Sequence, residues 1–280
     1  MRQLYQHVLI TGGSSGIGKA IAHLLAQDGA NLSLIARNPD RLNLAQAELS
    51  QVKQQDTQQI LTFSADVAVQ AQVEQAVQGA IAQLGPPDLL ITCAGIAHPG
   101  YFQDLPLEIF ERTMAVNYFG TLYCIRAVLP TMMQRGRGHI SMVSSGAGLI
   151  GLFGYTAYGP SKFALRGLAE SLRAELKPLG IGVSITYPPD TDTPQLAEET
   201  KTKPLETQEI TATAGVWQPA DVASTILNGI RRNRFAIAPG TEMGVLHRCH
   251  SLLAPGLNWY FDRIVARHQR AGGRSPVNPS

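Results

Sequence analysis

Short apolar runs rich in β-branched and aliphatic residues alternate along this chain with longer amphipathic stretches. Helical periodicity occupies the segments 16–27, 40–54, 71–84, 108–133, 161–176 and 220–231. The apolar runs are predicted as strands at 7–11, 31–36, 59–64, 88–92, 139–144, 182–187 and 235–238. Nearly continuous apolar strands are typical of sheets covered by helices on both faces. The alternation predicts an α/β fold, a Rossmann-like doubly wound parallel sheet of seven strands in one domain.

Length and cysteine usage narrow the class of protein further. The 280 residues suit one large domain at 1–240 followed by a C-terminal helical extension at 241–280. The chain start lacks the apolar core of a secretory signal, and no run reaches about 18 apolar residues, so we expect neither export nor a membrane span. Three widely spaced cysteines argue against disulfides and against a zinc site. We expect a reducing, cytoplasmic location and no metal.

A glycine-rich turn follows the first predicted strand directly. It reads Thr-Gly-Gly-Ser-Ser-Gly-Ile-Gly-Lys over residues 11–19, and a helical pattern begins within it. Glycine at such a turn permits positive φ and lets backbone N–H groups at a helix N-terminus approach a pyrophosphate. A tight structural turn is the alternative, but a position at the carboxyl end of the first strand favours dinucleotide binding. The predicted cofactor-binding residues here are Gly12, Ser14, Ser15, Gly16, Ile17 and Gly18.

Residues after the second and third strands bear on which dinucleotide binds. Arg37 follows the second strand, where an acidic residue would hydrogen-bond the ribose of NAD and an arginine accommodates the 2′-phosphate of NADP. Ser14 and Arg41 would add donors, and residues 31–38 contain no Asp or Glu. Asp66 and Val67 would contact the adenine, although a helix-capping Asp explains the same position almost as well. NADP(H) is therefore the expected cofactor.

Tyr158 and Lys162 stand four residues apart at the start of a predicted helix, which places a phenol and an ammonium on one face. Ketone reduction needs a proton donor beside the hydride acceptor, and a nearby cation lowers a tyrosine pKa from about 10 toward neutrality. Ser145 ends the fifth strand region, where its hydroxyl would hydrogen-bond the substrate oxygen. A Tyr–Lys pair alone is commonly a surface pair, but the three residues together predict a reductase site.

These motifs closely resemble the short-chain dehydrogenase/reductase family, which would cover about residues 5–240. The resemblance rests on residues 11–18, Cys93-Ala94-Gly95, Asn117, Ser145 and Tyr158-x-x-x-Lys162. It implies that Tyr158 is the general acid and that Lys162 lowers its pKa and holds the nicotinamide ribose. It also implies that Ser145 positions the carbonyl and that Asn117 anchors a water in a proton relay. Cys93, Ala94 and Gly95 would border the cofactor, although the family's usual Asn-Ala-Gly has lost its Asn side chain here.

A narrower resemblance, to 3-ketodihydrosphingosine reductases, covers the second half of the chain. It rests on residues 155–170, 187–194 and 198–207, and the Pro-Pro-Asp-Thr-Asp-Thr-Pro run at 188–194 is specific because most of the wider family has Gly where Pro189 stands. It implies NADPH-dependent reduction of 3-ketosphinganine to sphinganine. It also adds Pro188 to the cofactor-binding residues and places Thr193 beside the nicotinamide carboxamide. The hydrophobic N-terminal anchor of the eukaryotic members is not found, so constitutive membrane residence is not expected.

The segments after the sixth and seventh strands complete the predicted site. Residues 188–215 would form a polar lid, in which Glu198 and Glu199 would attract the ammonium of a ketosphinganine. The last 53 residues hold eight Lys or Arg against two Asp or Glu, whereas residues 1–227 hold 15 against 19. Apolar side chains recur there at helical spacing with arginines on other faces, as in membrane-surface helices. A helix docked on the domain or on a second subunit explains this pattern equally well.

The same motifs are compatible with two alternative functions. A carbonyl reductase acting on a 3-oxoacyl or steroid-like ketone is the alternative in the same class. A non-catalytic NADPH-binding sensor is the alternative in another class, and the intact Tyr158, Lys162, Ser145 and Asn117 disfavour it. Nucleic-acid binding is not expected, because the basic residues interleave with an apolar stripe. The family resemblance also implies a homodimer or homotetramer built on the helices at 108–133 and 161–176.

Overall fold

The computed structural model describes residues 5–212 and 215–270. Seven parallel strands form one sheet in the order β3-β2-β1-β4-β5-β6-β7. The predicted seven-stranded Rossmann-like sheet is therefore confirmed. The strands are β1 (His7–Thr11), β2 (Asn31–Ala36), β3 (Ile60–Ser64), β4 (Leu89–Thr92), β5 (Gly138–Val143), β6 (Ile181–Thr186) and β7 (Ala236–Ile237).

Helices cover both faces of this sheet. Those between the strands are α1 (Gly16–Gln27), α2 (Pro39–Ser50), α3 (Gln70–Leu84), α4 (Leu107–Met114), α5 (Gly120–Arg135) and α6 (Tyr158–Leu176). The later ones are α7 (Pro194–Thr202), α8 (Leu205–Ala212), α9 (Pro219–Arg231) and α10 (Gly240–Arg270). No helix among residues 5–212 and 215–270 combines the length and the apolar character that crossing a bilayer requires.

Alternation along the central strands divides the core into two layers. Val8 and Ile10 of β1 pack with α1, α2 and α9, whereas Leu9 between them belongs to the cluster formed with α3, α5 and α6. Successive side chains of a strand point to opposite faces, so a strand that is apolar at every position feeds both layers. β1 and β4 are buried at every residue, which accounts for their continuous apolar runs.

Two predicted helices differ in detail from the structure. The helix expected at 108–133 consists of α4 and α5 joined by a π-helical turn, Ala115–Phe119, which carries Asn117. The helix expected at 40–54 ends at Ser50, because Gln58 binds the chain that follows. Its side-chain amide donates to Ala26 O and Ala30 O at 3.0 and 2.7 Å and accepts from Gln54 N at 3.0 Å. This bonding turns the chain toward β3.

Candidate active site

A cleft of about 870 Å³ opens at the carboxyl edge of the sheet. Strand order reverses between β1 and β4, and in doubly wound sheets ligands bind at this reversal. The loops after β1, β2, β4, β5 and β6 all border the cleft, and so do α7 and α10. The structure thus brings most of the predicted cofactor and catalytic residues together in one cavity. The lining includes Gly12, Ser14, Ser15, Gly16, Ile17, Gly18, Arg37, Arg41, Val67, Cys93, Ala94, Gly95, Ser145, Tyr158, Lys162, Pro188 and Thr193.

The glycine turn packs too tightly for any side chain at two of its positions. A Cβ on Gly12, where φ is +70°, would lie 2.8 Å from Ala94 N, and one on Gly18 would lie 2.4 Å from Gly12 O. Ser15 caps α1 without a side-chain hydrogen bond, so the first N–H groups of the helix face the cleft. Free N–H groups and the helix dipole both favour a phosphate there. The cradle fits the pyrophosphate of a dinucleotide.

The residues predicted to contact the 2′-phosphate and the adenine of the cofactor lie in different settings. Arg37 and Arg41 are exposed side chains on the rim of the cleft, as a 2′-phosphate site requires. Asp66 is not among the lining residues, although Val67 is. Its carboxylate binds Arg112 Nη2 at 2.5 Å and accepts from Ala68 N at 3.0 Å. Partial burial opposes ionisation, but these bonds and the charge of Arg112 hold the pKa of Asp66 below its usual value. The Asp66 carboxylate is therefore held by Arg112 and Ala68, and its contact with the adenine stays a prediction.

Asn117 is fully buried, and its amide joins two parts of the site. Its Oδ1 accepts from Ile96 N at 2.9 Å, and its Nδ2 donates to Ile96 O at 3.0 Å and to Ser161 Oγ at 2.9 Å. Gly95 lies against this amide and against Lys162, with room for no substituent larger than a methyl group. The π-helical turn therefore fixes the loop after β4 to the start of α6. The water relay expected of Asn117 stays a prediction.

Tyr158 and Lys162 lie in the first turn of α6, both buried. The ammonium Nζ lies 5.5 Å from the centre of the phenol ring and donates to Val143 O at 3.1 Å. Ser145 follows β5, and its side chain hydrogen-bonds Tyr158. Phenol, ammonium and serine hydroxyl therefore meet at one end of the cleft, as a carbonyl-reducing site requires.

Burial changes the pKa values of Tyr158 and Lys162 more than their closeness to each other does. Desolvation and the charge of Glu199 raise the pKa of Tyr158 above its usual value, and the hydrogen bonds from Ser145 and Gln195 offset part of that rise. Burial lowers the pKa of Lys162 to about 8. Desolvation therefore opposes the lowering of the Tyr158 pKa that the Tyr–Lys spacing predicts, because burial penalises both charged forms. That lowering by Lys162 stays a prediction, and with the raised pKa the phenol is a protonated donor at neutral pH.

The sequence did not predict the hydrogen-bonded group that Tyr155, Gln195 and Glu199 form beside Tyr158. Tyr155 Oη donates to Glu199 Oε2 at 2.8 Å, and Gln195 Nε2 donates to Glu199 Oε1 at 2.8 Å. All three side chains line the cleft. Glu199 had been grouped with Glu198 as a polar lid residue, but Glu198 is exposed and pairs with Lys201 at 2.7 Å. The helical spacing of 195 and 199 in α7 was the available signal.

The C-terminal helix forms an apolar wall of the same cleft. Met243, Leu246, Leu253, Leu257, Tyr260 and Phe261 of α10 line it. At its far end α10 is held to α8, where Glu209 binds Arg267 and, at 2.9 Å, His268. Of the two arrangements left open by the sequence, docking on the domain is therefore observed for the inner face of α10.

A dinucleotide cradle next to a buried Tyr–Lys pair and the partly buried Ser145 defines an oxidoreductase that uses a nicotinamide cofactor. The chain belongs to the short-chain dehydrogenase family: the family's model, described as short chain dehydrogenase, matches residues 6–204.

Several curated relatives of this chain carry the same activity in their names. A 3-dehydrosphinganine reductase of Danio rerio is 49% identical over 237 residues, which are 84% of this chain and 71% of that protein. A 3-ketodihydrosphingosine reductase of Bos taurus is 46% identical over 250 residues, covering 89% and 75%. One from Dictyostelium discoideum is 41% identical over 291 residues, covering 98% and 86%. The similarity to the Dictyostelium discoideum protein therefore extends through α8 and α9 into α10, beyond the residues that the family's model matches.

Solved structures support the fold. Levodione reductase superimposes with a TM-score of 0.77 at 23% identity, over 85% of this chain and 98% of that one. An alcohol dehydrogenase from Thermococcus sibiricus complexed with 5-hydroxy-NADP gives a TM-score of 0.71 at 25% identity, over 83% and 95%.

Proposed function

We propose that this protein reduces the ketone of 3-ketosphinganine to the alcohol of sphinganine, with NADPH as the reductant. The observation that carries the proposal is the composition of the cleft. One end holds the proton-donating Tyr158, and the wall formed by α10 is apolar over several helical turns. Each methylene buried against such a wall contributes about 0.8 kcal/mol, which suits a long alkyl chain. The names of the relatives identify this class of substrate.

The residues divide the chemistry of reduction between them. The reduced nicotinamide supplies a hydride to the carbonyl carbon. Ser145 donates a hydrogen bond to the carbonyl oxygen, and Tyr158 transfers its proton to that oxygen as the alkoxide forms. Since an alkoxide is a far stronger base than a phenolate, a phenol with a raised pKa still donates readily. The ammonium of Lys162 then stabilises the phenolate until solvent returns a proton.

Activity against a panel of ketones tests this function. NADPH oxidation should be fastest with 3-ketosphinganine and slower with a 3-oxoacyl thioester and a small aromatic ketone. Tyr158→Phe should lose turnover by roughly 10²-fold or more while it keeps NADPH binding. Tyr155→Phe, three residues earlier, retains the ring and leaves Tyr158 intact, so it should keep measurable turnover. Preference for the small ketone would contradict the lipid assignment.

The preference for NADPH over NADH rests on Arg37 and Arg41. Both guanidinium groups lie on the cleft beyond β2, and an arginine binds a phosphate with two parallel hydrogen bonds. Arg37→Ala should raise the Kd of NADPH by about tenfold or more and leave that of NADH nearly unchanged. Equal use of the two cofactors by the unaltered enzyme would contradict this reading.

We further propose that the outer face of α10 rests on an anionic membrane surface. Leu252 and Trp259 are seven residues apart and therefore share a face, where Leu252 is 84% and Trp259 60% exposed. Arg263 stacks on Trp259 at 4.8 Å, which adds a cation to the apolar surface. A helix with this pattern lies in the interface plane of a bilayer. The substrate would then enter beside the helix that lines the cleft.

Vesicle binding separates this face from ordinary exposed leucines. The double variant Leu252→Ser, Trp259→Ser should bind vesicles containing phosphatidylglycerol several-fold more weakly than the unaltered protein. Leu44→Ser on α2 removes a leucine that is also exposed, and it should bind normally. Equal binding by all three proteins would refute the membrane contact. Point variants are preferable to truncation, because removing α10 would also remove the cleft wall.

A second copy of the chain is the proposed partner of α5 and α6. Phe119, in the π-helical turn, and Phe163 of α6 are exposed on these helices. Burying two aromatic rings in a two-fold contact would stabilise a dimer. Phe163→Glu should shift the mass measured by light scattering to that of a monomer. A monomeric unaltered protein would contradict the proposal.

A further inference from the structure

One carboxylate lies buried on the substrate side of the cleft. Glu199 of α7 is 7% exposed, and both oxygens accept hydrogen bonds at 2.8 Å, from Gln195 and from Tyr155. Burial raises the pKa of Glu199, whereas the two hydrogen bonds and the charge of Lys203 favour its ionised form. Burial also raises the pKa of Tyr155, so Tyr155 remains a donor to this carboxylate. The two donors, Tyr155 and Gln195, are therefore arranged to bind an ionised Glu199 carboxylate.

This anion has no cation of its own among residues 5–212 and 215–270. No Lys, Arg or His nitrogen there lies within 4.0 Å of the Glu199 carboxylate. The neighbouring Asp190 does have one, since Lys203 Nζ lies 3.2 Å from it. Asp190 and Glu199 therefore have one close ammonium between them, and the more distant Lys162 attracts Glu199 without forming an ion pair with it, so Glu199 is a buried charge without a paired cation. Burying such a charge costs free energy, and a cationic ligand would recover it.

The carboxylate lies one side chain away from the reacting phenol. Gln195 donates to Glu199 and also helps to lower the pKa of Tyr158, and the rings of Tyr155 and Tyr158 are 5.4 Å apart. A ketone oxygen held by Ser145 and Tyr158 would bring one adjacent carbon of the substrate to the part of the cleft that Glu199 lines. In a 2-amino-3-ketone that carbon carries the ammonium group.

We propose that Glu199 determines specificity by accepting a hydrogen bond from the ammonium on the carbon next to the ketone, so that the enzyme selects α-amino ketones. The inference rests on the proposed function, and it names the group that distinguishes 3-ketosphinganine from other long-chain ketones. Tyr155 and Gln195 act as positioning residues that hold the carboxylate. Glu198, exposed and paired with Lys201, has no such part.

A pair of substrates and a pair of variants test this role. The substrates are 3-ketosphinganine and the 1-hydroxy-3-ketone of equal chain length that lacks the amino group. The unaltered enzyme should prefer the amino ketone in kcat/KM. Glu199→Gln keeps the size and one acceptor but removes the charge, and it should reduce that preference at least tenfold, or about 1.4 kcal/mol. Its Kd for NADPH should stay within about twofold of the unaltered enzyme. Glu198→Gln should keep the full preference.

The outcomes separate this inference from the function on which it rests. Retained preference in Glu199→Gln would overturn the inference, and so would an equal loss on both ketones, which indicates a structural role. An enzyme that reduces neither long-chain ketone would overturn the proposed function and, with it, the inference. Inhibition of the unaltered protein by two analogues of the product gives a test that needs no variant. A long-chain 2-amino-1,3-diol should inhibit at least tenfold more strongly than the matching 1,3-diol, and equal inhibition would overturn the inference.

Discussion

Replacing Gly18 with alanine should impair the cofactor site through one steric contact. The added methyl group would lie 2.4 Å from Gly12 O and 2.8 Å from Gly12 C, and both atoms are backbone. Ordinary van der Waals contacts of a Cβ atom begin at 3.4 Å, so α1 would have to move away from the turn by about 1 Å. Overpacking of this degree costs about 1–3 kcal/mol of stability, and a 1 Å displacement at a site costs about 10²-fold in function.

Two measurements test this chain of reasoning. The Kd of NADPH, from quenching of protein fluorescence, should rise by about 10²-fold in Gly18→Ala, and urea denaturation should show the stability loss. Gly167→Ala is the matched control. That glycine is exposed in α6, and an added Cβ would meet nothing within 4 Å. The control should gain about 0.5–1 kcal/mol in stability and bind NADPH normally. Normal affinity in Gly18→Ala would refute the claim that close packing of α1 on the turn forms the phosphate cradle.

Three further predictions concern protonation and the cleft wall. Because the pKa of Lys162 is lowered to about 8, its ammonium is lost as the pH rises through that value, so kcat/KM should fall above about pH 8. The residual activity of Lys162→Arg should lack this fall up to roughly pH 10, and an unchanged profile would contradict the assignment. Burial lowers the pKa of His139 from 6.5 to about 4. The unfolded chain therefore takes up a proton between these values that the folded protein does not. The free energy of unfolding should drop by up to roughly 3 kcal/mol from pH 6.5 to pH 4, and His139→Gln should show a smaller drop in urea denaturation. Leu257→Ala should raise the KM for a long-chain ketone about tenfold without raising that for a small ketone, and a parallel rise in both would exclude a chain-binding role.

Several features of the site were predictable because they lie within short stretches of chain. The glycine turn occupies residues 12–18 next to β1, and one helical turn separates Tyr158 from Lys162. Continuous apolar runs mark these strands in the sequence, because every residue of β1 and β4 is buried. The closeness of the Tyr–Lys pair followed from spacing, but the pKa of the phenol did not, since spacing carries no information on desolvation.

Other parts of the site depend on contacts between distant segments. Tyr155 and Glu199 are 44 residues apart, and so are Asn117 and Ser161. Arg112 binds the carboxylate of Asp66 across 46 residues. Nothing in the sequence distinguishes these interacting pairs from other polar residues at similar positions.

The sequence by itself determined the parallel sheet, the nucleotide turn and the Tyr–Lys pair, because each arises from residues within a few positions of one another. Only the tertiary structure decided that α10 forms a wall of the cleft and that Glu199 lies beside the catalytic phenol. The order of the strands and the packing of α7 and α10 bring these segments together, and no local pattern specifies which buried surfaces will meet.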